Sequence, residues 1–222
     1  MVQKDYIFRF LRDLSNNNSK EWMDDNRDRY HTAKERWLEE VDLILKRLAK
    51  HDPFFAHFQP KDTISRINNN RRFQQDKPVY KDYFNCMPMS GESSLAPIAI
   101  AAGISWSFIG AGLHMPDNDQ LKKMRDAIDY DGEALKAILN TKEFQNRFGG
   151  LSEDKNALKT APRGYDTSHP HIELIRRKSF TATTNLTQKI VASDGFVDYV
   201  EESYLILQPF VAYIGKALSI DQ

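Results

Sequence analysis

The chain has 222 residues, of which 41% are hydrophobic, and its 31 basic side chains balance 31 acidic ones. That length and apolar share are enough for one domain burying roughly 70% of its unfolded surface without staples. The balanced charge excludes a general nucleic-acid coat or an acidic tail, and the single Cys86 excludes an internal disulfide framework and a cysteine zinc site.

The opening Met1-Val2-Gln3-Lys4-Asp5 has an acid where a signal peptide would begin its apolar stretch. The longest near-apolar run, Leu95 to Ile104, is shorter than the ~20 residues of a membrane span. A soluble, cytoplasmic protein without a membrane partner is therefore expected. Tyr6, Ile7, Phe10, Leu11 and Leu14 recur at helical spacing up to Asn16-Asn17-Asn18. Asn18 and Glu21 read as a capping box that opens a second helix near Ser19. Ala33, Trp37, Val41, Ile44, Leu45 and Leu48 form an apolar stripe over four turns, which Asp52-Pro53 stops.

From Phe54 to Pro116 helical periodicity disappears. Leu95–Ala102 and Trp106–His114 read as antiparallel strands joined near Gly103. The small residues Ala99, Ala101, Ala102, Gly110, Ala111 and Gly112 predict close approach by another element. Helices are predicted at 118–130, 132–140 and 141–148, the last closed by Gly149-Gly150. A Pro/Gly/His segment from Pro162 to Pro170 leads to helices at 171–178, 184–192, 194–208 and 209–219, with Pro209 starting or kinking the last. This order predicts a single α+β domain over 1–222, with a mid-chain antiparallel sheet packed by N- and C-terminal helices. Trp22, Trp37 and Trp106 are expected in the core.

Residues 66–81 concentrate Arg66, Arg71, Arg72, Lys77 and Lys81 against one acid, Asp76, in a chain of zero net charge. Such an excess is either neutralised inside the fold or offered to an anion. Arg66 and Arg72 carry planar forks suited to carboxylate or phosphate. Lys77 is held extended by Pro78, and Tyr80 can hydrogen-bond an oxyanion. A second basic group holds Lys159, Arg163, Arg176, Arg177 and Lys178, with His169-Pro170-His171 among them. His169 and His171 invite a metal reading that Asp166 could join, but no third dedicated ligand stands at a recognisable spacing, so neither metal nor cofactor is assigned. No P-loop, dinucleotide fingerprint, nucleophile elbow or His-Glu-x-x-His occurs.

Three blocks resemble the family called domain of unknown function 2461. They are Phe10-Leu11-Arg12-Asp13-Leu14 with Asn16-Asn17 and Glu21-Trp22; Arg66-Ile67 with Arg72-Phe73, Asp76-Lys77 and Tyr80-Lys81; and Pro162-Arg163-Gly164-Tyr165 with His169-Pro170, Glu173-Leu174 and Arg176-x-Lys178. The resemblance implies a single α+β domain of soluble proteins and supplies no established activity. Asn69-Asn70 stands where the family reads Arg-Asp, Pro78 comes one residue early, and Arg163 replaces a Lys. Loss of both charges of an Arg-Asp pair favours a structural role for those positions.

Three functions fit. The leading one is binding of an anionic, phosphate-bearing ligand, a small molecule or a nucleic acid, through Arg66, Arg72, Lys77, Tyr80, Lys81, Arg163 and Arg176. An enzyme acting on a phosphorylated or carboxylated substrate would use Asp76 or His169 to move a proton. An interaction protein would keep the basic motif as an internal ion-pair network. The anion site in its fullest form requires segments 66–81 and 162–178 to share a cleft.

Overall fold

A computed structural model describes residues 2–72, 74–89 and 94–219. Among them are eight α-helices, α1 (Val2–Asn16), α2 (Lys20–Asp25), α3 (Arg27–Leu48), α4 (Asn118–Leu139), α5 (Lys142–Phe148), α6 (Ile172–Ile175), α7 (Gln188–Ala192) and α8 (Phe196–Ser219). The strands β1 (Tyr83–Cys86), β2 (Leu95–Gly103), β3 (Phe108–Leu113) and β4 (Phe180–Asn185) form one sheet in the order β1-β2-β3-β4. β1 pairs antiparallel with β2 in the register Tyr83↔Gly103 to Cys86↔Ile100. The fold is α+β, and none of its described helices is long and apolar enough to cross a membrane.

The chain divides into two compact units assembled from discontinuous segments. One comprises 1–88, 99–109 and 185–202, the other 89–98, 110–184 and 203–222. In the first, the α1 and α3 stripes are buried as their spacing predicts, with Phe10, Leu11, Leu14, Val41, Ile44 and Leu48 all inaccessible. The Trp37 indole is also buried and donates to Asn85 O at 2.9 Å, which ties α3 to β1. Cys86 lies among these residues, and burial pushes its thiol up to about 12 against the opposing hydrogen bond from Thr63.

In the second unit, Leu121, Met124, Ile128 and Leu135 of α4 pack with Leu207, Phe210 and Ile214 of α8 and with Leu113, Phe180 and Ala182 of the sheet. Asp131 breaks the helical backbone of α4 at φ −147° and ψ 60°, matching the predicted boundary between 130 and 132. The element that approaches the small residues of β3 is β4. A Cβ on Gly110 would lie 2.3 Å from Ala182 O, and one on Gly112 2.1 Å from Phe180 O. Gly112 adds a φ of +130°, which an L side chain rarely adopts.

Several local expectations change. Ser19, not Asn18, caps α2, with its hydroxyl accepting Trp22 N–H at 3.1 Å. The predicted 171–178 helix is the single turn of α6, and β4 falls between it and α7. Helices 194–208 and 209–219 are one helix, α8. Pro209 is exposed within it, four residues after exposed Leu205, so the helix loses one hydrogen bond on its wet side.

Candidate functional site

Residues 67–81 fold back on themselves in the first unit. Asn69 N–H donates to Val79 O at 2.9 Å, Lys81 N–H donates to Ile67 O at 2.8 Å, and Asn68 bridges Tyr80. Ile67 and Tyr80 are buried at the base. The Asn18 amide grips Tyr80 from both sides, accepting its N–H at 2.8 Å and donating to its carbonyl at 3.0 Å. At the tip, Arg71 holds Gln75 O through Nε and Nη2 at 3.2 and 2.6 Å.

The Asn69-Asn70 pair has a structural task here. Asn69 Nδ2 donates to Pro78 O at 2.9 Å, and Asn70 Oδ1 accepts Arg72 N–H at 3.1 Å. A donor at 69 and an acceptor at 70 are the capacities that an Arg-Asp pair also offers, so the exchange preserves the loop's bonds.

On this frame Arg66, Arg72, Asp76 and Lys77 are exposed. Lys81 is instead occupied inward. Its ammonium donates to Ser65 Oγ at 2.9 Å and Arg66 O at 2.6 Å, and burial lowers its pKa. Phe73 lies outside the described residues.

Trp106, expected in the core, is open to solvent within an aromatic cluster. Trp106 is 48% exposed at the turn between β2 and β3. Phe108 stacks on it at 4.9 Å and 9°, and Tyr83 meets it at 5.1 Å. Gly103, the β-partner of Tyr83, leaves the room for this: a Cβ there would lie 2.6 Å from Tyr83 Cβ and 2.8 Å from Trp106 O. Asp82 pins the turn by accepting the Ser105 N–H and hydroxyl. Alternation was the available signal, since Trp106 and Phe108 fall on one face of an extended segment and buried Ser107 and Ile109 on the other.

The second basic segment belongs to the other unit, where loop 162–171 is strapped to α4. Tyr165 donates its hydroxyl to Asp126 at 3.1 Å, and His169 Nε2 meets Asp129 Oδ1 at 2.9 Å. His169 Nδ1 accepts the His171 N–H at 3.1 Å. With Nδ1 accepting, Nε2 is the donor to Asp129. His171 is buried, its ring occupying the space where Gly132 has no side chain. Arg163 is exposed, whereas Arg176 pairs with Glu173 at 2.8 Å. Asp166 is turned to the Ser168 N–H and hydroxyl at 2.8 and 2.6 Å. No group of three His, Cys, Asp or Glu side chains able to hold a metal occurs among the described residues.

A cavity of about 440 Å³ in the second unit is lined by Ala127, Tyr130, Ala134, Tyr213 and Ala217 with Lys123, Asp126, Asp131 and Lys216. The Tyr213 hydroxyl reaches Ala127 O at 3.0 Å and Asp131 O at 3.1 Å, bracing the break in α4. None of the site residues chosen from the sequence lines this cavity.

Asp154 anchors the end of the second basic segment. Its carboxylate accepts N–H groups from Lys178 at 2.6 Å, Ser179 at 3.0 Å and Asn156 at 3.1 Å. Burial pushes its pKa up, but these donors and the Arg177 charge outweigh it and hold the carboxyl below its usual range. A depressed folded pKa contributes stability that is complete above the unfolded value of about 4 and is lost as pH falls through the folded one. Asp154→Ala is expected to cost about 1–3 kcal/mol in urea denaturation at pH 7, with the gap from wild type narrowing at pH 3 and below. An equal gap at both pH values would remove the charge as its source.

Fold and geometry together define an α+β protein with an exposed, internally braced basic loop. Residues 6–213 match the family described as "Conserved hypothetical protein (DUF2461)", and the chain belongs to that family. No curated protein and no solved structure matches it.

Proposed function

We propose that this protein binds a phosphate-bearing ligand through Arg66, Arg72 and Lys77 of the 66–81 loop. The observation that carries the reading is a cationic surface on a backbone held from both sides, by the Asn18 grip at its base and the Arg71–Gln75 contact at its tip. Loops that hold their own shape lose little entropy on binding, and guanidinium forks match phosphate oxygens. Tyr80 and Lys81 serve the loop's own architecture in this reading. Arg163 and Arg176, in the other unit, are not needed for it. The loop lies open, which suits an extended ligand or a polyanion, a nucleic acid included, better than an enclosed small substrate. The lone buried Cys86 supports a reducing, cytoplasmic setting.

The test is thermal unfolding of wild type and of the Arg66→Ala/Lys77→Ala double variant against phosphate, nucleotides, sugar phosphates and polyphosphate. A ligand at a hundred times its Kd adds about 2.7 kcal/mol to the native state. Stabilisation of the wild type that disappears in the double variant is expected. Three cation–phosphate contacts also predict a log–log salt slope of roughly −2 to −3. Absence of stabilisation by every anion, or equal stabilisation of both proteins, would end the proposal.

A further inference from the structure

The aromatic cluster and the basic loop are linked through one lysine. Lys81 Nζ lies 5.9 Å from the Tyr83 ring centroid while donating to Arg66 O at 2.6 Å. Tyr83 meets Trp106 at 5.1 Å, and Trp106 stacks on Phe108 at 4.9 Å. All of these residues belong to the first unit. A run of flat rings therefore leads to the backbone of a cationic loop.

A half-exposed indole is unusual for a side chain that gains so much from burial, and exposed apolar surface rimmed by polar groups marks a contact site. What approaches it must tolerate the Lys81 ammonium at its border. The acid beside the turn, Asp82, is already committed to Ser105. Aromatic side chains next to Arg and Lys are the two components that bind single strands: bases stack on the rings, and the backbone phosphates pair with the cations. A duplex hides its base faces, so the rings favour an unpaired strand.

We infer that the loop and the aromatic platform bind single-stranded nucleic acid, with bases stacked on Trp106 and phosphates held by Arg66 and Lys77. This rests on the phosphate-binding reading above and specifies its ligand. Because stacking reads the π-face of any base, little sequence preference is expected, and affinity falls steeply with salt.

The test uses the full chain and fluorescein-labelled oligothymidylate and oligouridylate of ~12 nucleotides, a length within the range that such sites cover. Anisotropy is read at low salt, with a duplex of equal length and inorganic polyphosphate as competitors. Binding of a single strand is expected, with quenching of tryptophan emission that is absent in Trp106→Phe. Trp106→Ala is expected to weaken the oligonucleotide at least about fivefold, the lower end of a stacking contact, without changing polyphosphate binding. Arg66→Ala/Lys77→Ala weakens both. Preference for thymidylate over uridylate, or the reverse, identifies which strand is the better ligand without altering the mode. The inference is overturned if duplex binds as well as single strand, or if Trp106→Ala leaves oligonucleotide affinity intact. Should polyphosphate bind in those cases, the phosphate reading survives alone. Should neither polyanion bind, both fall.

Discussion

Gly112→Ala is expected to remove a large part of this protein's stability, about 2–6 kcal/mol in chemical denaturation. Two independent effects act at this position. The backbone φ of +130° strains any residue with a side chain, at about 1–3 kcal/mol. The added methyl would lie 2.1 Å from Phe180 O, so β3 and β4 must part, at about another 1–3 kcal/mol. Domains have total stabilities of about 5–15 kcal/mol, so the loss brings the second unit near unfolding. Gly149→Ala is the control, because Gly149 also has a positive φ, +70°, but nothing lies within 4 Å of a Cβ there. Its expected cost is about 1–2 kcal/mol. Equal losses at both positions would mean that the contact with β4 plays no part.

Asn18→Ala is expected to cost about 2–6 kcal/mol and to release the 66–81 loop. The alanine leaves the Tyr80 N–H and carbonyl unpaired at a part-buried site, and each orphaned group costs about 1–3 kcal/mol. Asn18→Asp should do little better, since a carboxylate can accept the N–H but turns an oxygen toward the carbonyl. The local consequence separates this effect from general destabilisation. Trypsin should cut at Arg71 or Arg72 faster in the variant, at a temperature where the rest of the chain stays protected. Phosphate-ligand affinity should fall with it, because the cations lose their common frame. A variant that melts lower but shows unaltered cleavage in the loop would dissociate Asn18 from the site.

Much of the helical architecture was legible in the order of residues. The stripe Ala33 to Leu48 became a buried helix face because a helix of four turns repeats its own pattern enough to declare it. The break at Asp131 and the end of α5 at left-handed Gly149 could also be read locally. The two outer strands could not. β1 has four residues, and Phe180–Asn185 runs into the segment 184–192 that reads as helix. Short strands become strands through partners far along the chain, here Ile100–Gly103 for β1 and Gly110–Gly112 for β4.

The candidate site divides in the same way. Composition alone marked 66–81, because five cations against one acid in a chain of zero net charge require an account. Which of those cations face solvent depended on contacts between distant residues. Lys81 turns inward because Ser65 and Arg66 O lie within its reach, and Asn18, sixty-two positions from Tyr80, sets the base of the loop. Trp106 was misread for a related reason. Its residue type predicts burial, but its place at a tight turn beside side-chain-free Gly103 leaves it open. Sequence by itself determined the stripes of α1 and α3, the break in α4, the neutral balance and the location of the basic motif, because these rest on local periodicity and charge count. Tertiary structure decided the outer strands, the exposed cations and the aromatic platform, because burial and hydrogen-bond partners exist only once distant segments meet.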